Sequence, residues 1–256
     1  MNLRLIEKCI PALAVLCLGS CSIKENRMDC PCRLTMDLTE FGLEGPVGLT
    51  LWNNGLYVLE KRVSALDSLE MDVPRVVYRF AALPSTFDQW LEGKTNLVVA
   101  KGEQFPMVYS YCNQHLDAVC ETLCEKVVAH KQYAEIFIDP EDADMSYLQY
   151  YLKGETIGFN IMDLSPVAGE FECRMDGAGK LVSAKIPRQE GNGLKIVVSG
   201  AERSGTLDLS AFLEDNGYDW NADDLEDVYI KISALKSYVE IDIEDWDRTI
   251  VGGGAI

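Results

Sequence analysis

Short β-favouring runs separated by turn signals are the feature that most constrains how this chain folds. In residues 33–41, Leu34, Met36 and Leu38 alternate with polar neighbours, which is the period of a half-buried strand. Similar runs follow at residues 47–52, 56–63, 75–83, 96–100, 133–138, 147–162, 167–174, 181–186, 194–199, 205–209, 228–232 and 238–243. Short strands at near-regular spacing, with turn residues between them, predict an all-β chain built of β-sandwiches.

Residues 112–131 depart from this pattern. His115, Leu116, Val119 and Leu123 recur there at helical spacing, so we expect a helical insertion. A shorter helical segment is expected at residues 211–214.

A polar, charged and proline-containing segment at residues 139–144 is the best candidate for a linker between domains. The chain is long enough for two modest domains. We therefore expect an N-terminal sandwich at residues 30–145 and a C-terminal sandwich at residues 146–256.

The N-terminus has the pattern of a lipoprotein signal peptide. Residues 9–18 form an apolar run too short to span a bilayer, which needs about 20 residues, but long enough for a signal peptide. The run ends in Leu18-Gly19-Ser20-Cys21, which resembles the bacterial lipobox. We expect residues 1–20 to be removed, Cys21 to carry a covalent lipid (diacylglycerol and palmitate), and residues 21–29 to form a tether.

The charge balance argues against two classes of partner. The chain has 41 acidic and 23 basic residues and a formal net charge of −18. Such a chain repels nucleic acid and anionic lipid headgroups. We therefore expect no nucleic-acid partner, and contact with the membrane through the lipid alone.

Six cysteines follow Cys21, and an even number makes disulfides plausible in an exported protein. They are Cys30, Cys32, Cys112, Cys120, Cys124 and Cys173. The sequence does not choose among the possible pairings. A bond between Cys30 and Cys32 would be strained across one proline, so each is expected to have a distant partner or to remain a thiol.

Catalytic patterns are missing from the sequence, which contains neither Gly-x-Ser-x-Gly nor His-Glu-x-x-His. We therefore predict no enzyme activity, no catalytic residue and no cofactor other than the lipid on Cys21.

The sequence offers two alternative metal sites. Zinc would use residues with irregular spacing, namely Cys112, His115, Cys120, Cys124 and His130. Calcium would use acidic residues without EF-hand spacing, namely Asp215, Asp219, Asp223, Asp224, Glu226 and Asp227. Neither spacing fits, so no metal is predicted.

A cysteine–proline strand follows the lipobox closely, as Asp29-Cys30-Pro31-Cys32-Arg33-Leu34-Thr35-Met36-Asp37-Leu38. The β-rich body ends in Val228-Tyr-Ile-Lys-Ile-Ser233, Val239-Glu-Ile-Asp-Ile243 and Asp245-Trp246. From Cys21 to about Trp246, this combination resembles the FimB-type fimbrial anchor subunits of type V pili in Bacteroidales-like bacteria. The segment with Cys112, Cys120 and Cys124 does not match the family pattern.

The resemblance implies two tandem transthyretin-like β-sandwiches and a structural role without catalysis. It also implies a lipid-anchored position in the outer membrane, at the cell surface, as the base of a fimbrium used in cell adhesion. The expected partners are fimbrillin subunits joined by strand complementation, in which one subunit completes the sheet of its neighbour.

The C-terminal residues bear on which subunit donates the strand. Only Ile250 and Val251 suit a strand after residue 246, and the glycines at 252–254 would weaken it. We therefore expect this chain to accept a strand and not to donate one. Two other functions stay open: a tip or stalk fimbrillin, and a surface glycan-binding lipoprotein. A glycan-binding protein would need its tryptophans on one exposed face. The tryptophans of this chain are Trp52, Trp90, Trp220 and Trp246.

Overall fold

The computed structural model describes residues 30–244, except residues 44, 55, 65–66, 141–147, 178–180, 192, 201–203 and 234–237. The predicted signal peptide, Cys21 and most of the tether therefore lie outside the described residues. So do Trp246 and the C-terminal segment with Ile250 and Val251.

The described chain is dominated by β-strands, which confirms the all-β prediction. The strands are β1 Cys32–Asp37, β2 Pro46–Asn53, β3 Leu56–Ser64, β4 Ser68–Val73, β5 Val77–Pro84, β6 Leu91–Glu92, β7 Asn96–Val98, β8 Tyr109–Asp117, β9 Thr122–Lys126, β10 His130–Lys131, β11 Tyr133–Pro140, β12 Gln149–Asn160, β13 Pro166–Arg174, β14 Val182–Pro187, β15 Lys195–Ser199, β16 Ser204–Asp208, β17 Asp227–Ser233 and β18 Tyr238–Glu244.

Helical structure is confined to short pieces in the described residues. A 3₁₀ turn spans Ser85–Trp90, and helix α1 spans Leu209–Asp215. Asp208 caps α1 by accepting a hydrogen bond from the Ser210 backbone N–H at 3.1 Å. The predicted short helical segment is therefore confirmed. No described helix is long and apolar enough to cross a membrane.

The N-terminal pair of sheets encloses its own hydrophobic core. A three-stranded sheet has the order β4-β1-β9, and a five-stranded sheet has the order β10-β8-β5-β2-β3. Alternate residues of β1 and β2 are buried and meet between the two sheets, as the period of a strand requires. This unit is a β-sandwich.

The C-terminal pair of sheets encloses a second, larger core. One sheet has the order β14-β11-β17-β18, and the other runs β16-β15-β12-β7-β6, with β13 also paired to β12. β7 and β11 precede residue 145, yet they pair with C-terminal strands, and β6 joins the same sheet through β7. The C-terminal sheets thus include strands from before the boundary expected from the linker pattern, and the first two linker residues, Asp139 and Pro140, end β11.

The predicted helical insertion at residues 112–131 is wrong. The segment contains most of β8, all of β9 and all of β10. A turn between β8 and β9 is held by the Asp117 side chain, whose Oδ1 accepts a hydrogen bond from the Val119 N–H at 3.2 Å. The inward residues of two short strands and this turn together imitate a helical period.

The pairing of β12 with β7 depends on a glycine. Gly158 lies opposite Val98, and a Cβ atom built on it would lie 1.8 Å from the Leu97 carbonyl oxygen. Only a residue without a side chain permits this approach. Gly158 thereby fixes where the strand from the N-terminal half enters the C-terminal sheet.

Candidate functional site

β1 is the first strand after the predicted lipid-bearing cysteine, and it lies inside the fold. It is the middle strand of its sheet, with β4 antiparallel on one side and β9 parallel on the other. The inward side chains of Cys32, Leu34 and Met36 are 0% exposed. Full burial of each such side chain contributes roughly 1.5–3 kcal/mol. β1 is therefore an integral part of the N-terminal core.

The distance from Cys21 to β1 is limited by covalent geometry. Residues 22–31 separate the two, so the Cα atoms of Cys21 and Cys32 are at most about 40 Å apart. A lipid on Cys21 would consequently hold the N-terminal pair of sheets within that distance of the membrane surface.

β18 forms the edge of the four-stranded sheet. Its whole length pairs with β17, from Asp227↔Glu244 to Ser233↔Tyr238. Within the described part of the chain, no strand pairs with its other side. Unpaired backbone N–H and C=O groups on such an edge can pair with a strand from another chain. β18 is therefore a candidate site for strand addition.

The sheet behind this edge is reinforced on its outer face. Phe137 of β11 lies opposite Tyr229 of β17, and the two rings stack at 4.3 Å between centroids with planes 4° apart. Cross-strand aromatic pairs stabilise sheets. The β11–β17 pair that supports β18 is thus held by main-chain hydrogen bonds and by this stack.

Two carboxylates of the acidic segment considered for calcium are engaged by other residues of the protein. Asp224 contacts His130 Nδ1 at 2.9 Å and accepts a hydrogen bond from the Lys131 backbone N–H at 2.6 Å. Asp227 accepts hydrogen bonds from Lys131 Nζ at 2.6 Å and from the Glu135 N–H at 2.7 Å. These carboxylates tie two chain segments together.

A buried arginine holds the same segment from the other side. The Arg188 guanidinium donates to the backbone oxygens of Trp220 and Asp223 at 2.8 and 2.9 Å, and to Gln132 Oε1 at 2.8 Å. Burial lowers the pKa of Arg188. The arrangement is a structural clamp around residues 220–227.

Metal-ligating side chains do not converge among the described residues, where no group of three or more His, Cys, Asp or Glu could hold an ion. The residues weighed for zinc are spread over three strands and a turn. Cys112 and His115 lie on β8, Cys120 lies in the turn, Cys124 lies on β9, and His130 lies on β10.

The six described cysteines differ in their exposure. Cys32 and Cys173 are buried, Cys112 is half-buried, and Cys30, Cys120 and Cys124 are exposed. Burial raises the pKa of Cys112 to about 11 and that of Cys173 to about 12. Cys112 and Cys173 are therefore poor nucleophiles at neutral pH.

The three described tryptophans do not form one binding face. Trp52 lines a cleft of about 520 Å³ between the two pairs of sheets, Trp220 lines a second cavity and Trp90 a third. All three pack against the C-terminal core. Their main role is thus in packing.

Strand β4, which flanks β1, was not among the strands predicted from the sequence. Its residues Leu69, Met71 and Val73 alternate with polar ones, so the signal was present. The open edge at β18, in contrast, falls where residues 238–243 were expected to form a strand.

The described fold is similar to that of solved structures of fimbrial and adhesin proteins. A candidate polysaccharide-binding protein from Bacteroides thetaiotaomicron VPI-5482 gives a TM-score of 0.60 at 13% identity, over 84% of this chain and 96% of that chain. The fimbrial anchor protein Mfa2 from Porphyromonas gingivalis gives 0.59 at 8% identity, over 85% and 98%. A candidate cell adhesion protein from Bacteroides uniformis ATCC 8492 gives 0.50 at 11% identity, over 85% and 98%.

This chain shares its fold with Mfa2. At such low sequence identities, the structural similarity shows a shared fold and nothing more. The sequence matches no protein-family model, and none of the curated proteins is a significant match to it.

Proposed function

We propose that this chain is a non-catalytic, lipid-anchored fimbrial subunit of the FimB type, which holds a fibre at the outer membrane. The position of β1 carries the proposal. The first described strand after Cys21 is buried in the middle of its sheet, with a strand of the same chain on each side. A lipid on Cys21 would then be connected to a folded core through residues 22–31 alone. The shared fold with a fimbrial anchor protein supports this role.

The fibre joins this subunit by strand addition at β18. That edge offers a row of main-chain hydrogen-bonding groups on a four-stranded sheet in which β18 pairs with β17 on one side. A neighbouring fimbrillin would place a β-strand along it, with main-chain bonds supplying affinity. The chain thus accepts a strand on its C-terminal pair of sheets while its N-terminal end is tied to the membrane.

The anchoring role is tested by Cys21→Ser in the native host, with Ser22→Ala as the matched control. We expect C21S to lose metabolic labelling with palmitate and to release fibres into the medium, whereas S22A keeps both on the cell. Fibres that stay attached in the unlipidated variant would overturn the anchor role. Immunogold labelling along the fibre or at its tip, and not at its base, would favour a stalk or tip fimbrillin.

The strand-addition step is tested by a photocrosslinking amino acid placed at Glu240 or Asp242 of β18. The control position is Glu70 of β4, which is also an edge strand. Cross-links to fimbrillin subunits from β18 and not from β4, identified by mass spectrometry, are expected. Equal cross-linking at both edges, or none at β18, would contradict the assignment. Recovery of glycan-uptake components alone would favour the glycan-binding alternative.

A further inference from the structure

Two cysteines that are far apart in the sequence meet where β1 and β9 begin. The strands run parallel from the Arg33↔Thr122 pair, and the Arg33 N–H donates to the Glu121 carbonyl at 2.9 Å. Continuing this register sets Cys32 opposite Glu121, and Cys120 directly precedes Glu121. Adjacent strands lie about 4.8 Å apart, and disulfides join Cα atoms about 4.4–6.8 Å apart. The register therefore places this pair within reach of a disulfide.

The two thiols lie close enough to influence each other. Burial raises the pKa of the Cys32 thiol, and the neighbouring Cys120 thiol raises that pKa further. The Cys120 thiol also lies 3.1 Å from the Thr122 carbonyl oxygen and 3.9 Å from that of Asp117. It is thus held at the start of β9.

We propose that Cys32 and Cys120 form a disulfide bond that ties β1 to the start of β9. Of the four other thiols, Cys30 is exposed and lies two residues before Cys32, and the remaining three lie elsewhere in the fold. Cys173 is buried in the C-terminal core, and Cys112 lies on β8 in the opposite sheet of the N-terminal sandwich. Cys124 pairs in register with Thr35, further along the two strands.

The difference in exposure sets the order of the reaction. Cys120 is exposed and Cys32 is fully buried. The Cys120 thiolate therefore attacks a disulfide donor first, either a small-molecule disulfide or an extracytoplasmic thiol–disulfide oxidoreductase, forming a mixed disulfide and releasing one thiolate. Cys32 then loses its proton, and its thiolate attacks the Cys120 sulfur and releases the second. The two protein thiols are oxidised, and the donor is reduced to two thiols.

The bond is tested on lipoprotein purified from the host envelope and alkylated at harvest. Digestion with Asp-N and Glu-C without reduction separates Cys120, on residues 117–121, from Cys112 and Cys124. We expect a cross-linked peptide joining residues 117–121 to the peptide that carries Cys30 and Cys32. The cross-link should persist in Cys30→Ser and disappear in Cys120→Ser. Alkylated Cys32 and Cys120, or a cross-link lost in C30S, would overturn the proposal.

A second measurement does not depend on the host. The purified chain, oxidised with glutathione disulfide, should lose two titratable thiols, and reduction should lower its Tm by about 5–10 °C. C120S, whose exposed side chain makes it a mild substitution, should show neither change, and Cys124→Ser should behave as wild type. Identical thiol counts in wild type and C120S would contradict the bond. Because this chemistry does not require a fibre, failure here and failure of the anchoring role are distinguishable.

Discussion

The Nζ atom of Lys131 lies 2.6 Å from Oδ1 of Asp227, and the Lys131 side chain is only 2% exposed. Lys131 belongs to β10 in the N-terminal pair of sheets, and Asp227 begins β17 in the C-terminal pair. The Leu225 N–H also donates to the Lys131 carbonyl at 3.0 Å. This ion pair therefore connects the two sandwiches where the chain passes from β10 to β11.

Replacing Lys131 by Ala should lower the free energy of unfolding by about 2 kcal/mol, because the partly buried Asp227 carboxylate loses its charged donor. The matched control is Lys126→Ala, which breaks an ion pair with Glu40 of the same 2.6 Å length but with both side chains 57% exposed. That change should cost less than about 1 kcal/mol. Urea unfolding of both variants makes the measurement. Equal losses would mean that burial does not govern the strength of the pair.

Gly158→Ala should destabilise the protein by about 1–3 kcal/mol, because its Cβ would collide with the Leu97 main chain and push β7 away from β12. Gly205 of β16 provides the control, since a Cβ built there meets nothing within 4 Å. Thermal unfolding should show a lower Tm for G158A and an unchanged or slightly higher one for G205A. A G158A protein as stable as wild type would show that β7 tolerates displacement.

Stability should depend on pH through Glu172. A hydrogen bond from Lys153 is the main cause that lowers the pKa of Glu172 below the ordinary value of 4.5, and Lys101 adds to it. Its Oε1 lies 3.1 Å from Lys153 Nζ, and its Oε2 lies 3.4 Å from Lys101 Nζ. Because the folded-state pKa is depressed, the stabilisation is complete above pH 4.5 and is lost as the pH falls through the folded-state pKa.

Glu172→Gln should therefore lower stability at pH 7 by less than about 1 kcal/mol and leave it unchanged at strongly acidic pH. Urea midpoints measured across this range give the difference between the two proteins. Lys153→Met removes the main hydrogen-bond donor to Glu172. In that background, the difference in stability caused by Glu172→Gln should be smaller. A difference that grows towards acidic pH would contradict the sign.

Cys173 and Cys112 should react slowly with iodoacetamide at pH 8 in the native protein. Their raised pKa values leave little thiolate, and Cys173 is also fully buried. We expect Cys173 to be alkylated at least on the order of a hundredfold more slowly than exposed Cys124, as followed by peptide mass mapping. Denaturant should abolish the difference. Comparable native rates would mean that the C-terminal core opens readily.

The strands were predictable from the sequence because alternation is a local property. Residues 238–243 were expected as a strand and form most of β18. The helical interpretation of residues 112–131 failed because the spacing of Leu116, Val119 and Leu123 mixes two strands with an Asp117 turn.

The candidate site was less predictable because its parts meet through long-range pairing. The approach of Cys32 to Cys120 follows from the parallel register of β1 and β9, which no local pattern encodes. The entry of β7 into the C-terminal sheet likewise depends on the missing side chain of Gly158, opposite a strand far away in the sequence.

The central position of β1 has a mechanical consequence. Six register pairs join it to β4 and five join it to β9, in two rows that run along its length. Tension applied at its N-terminal end and directed along the strand would load both rows of hydrogen bonds in shear, so many must break at once. β18 is bonded to β17 alone. A transverse pull there would peel the edge open one hydrogen bond at a time.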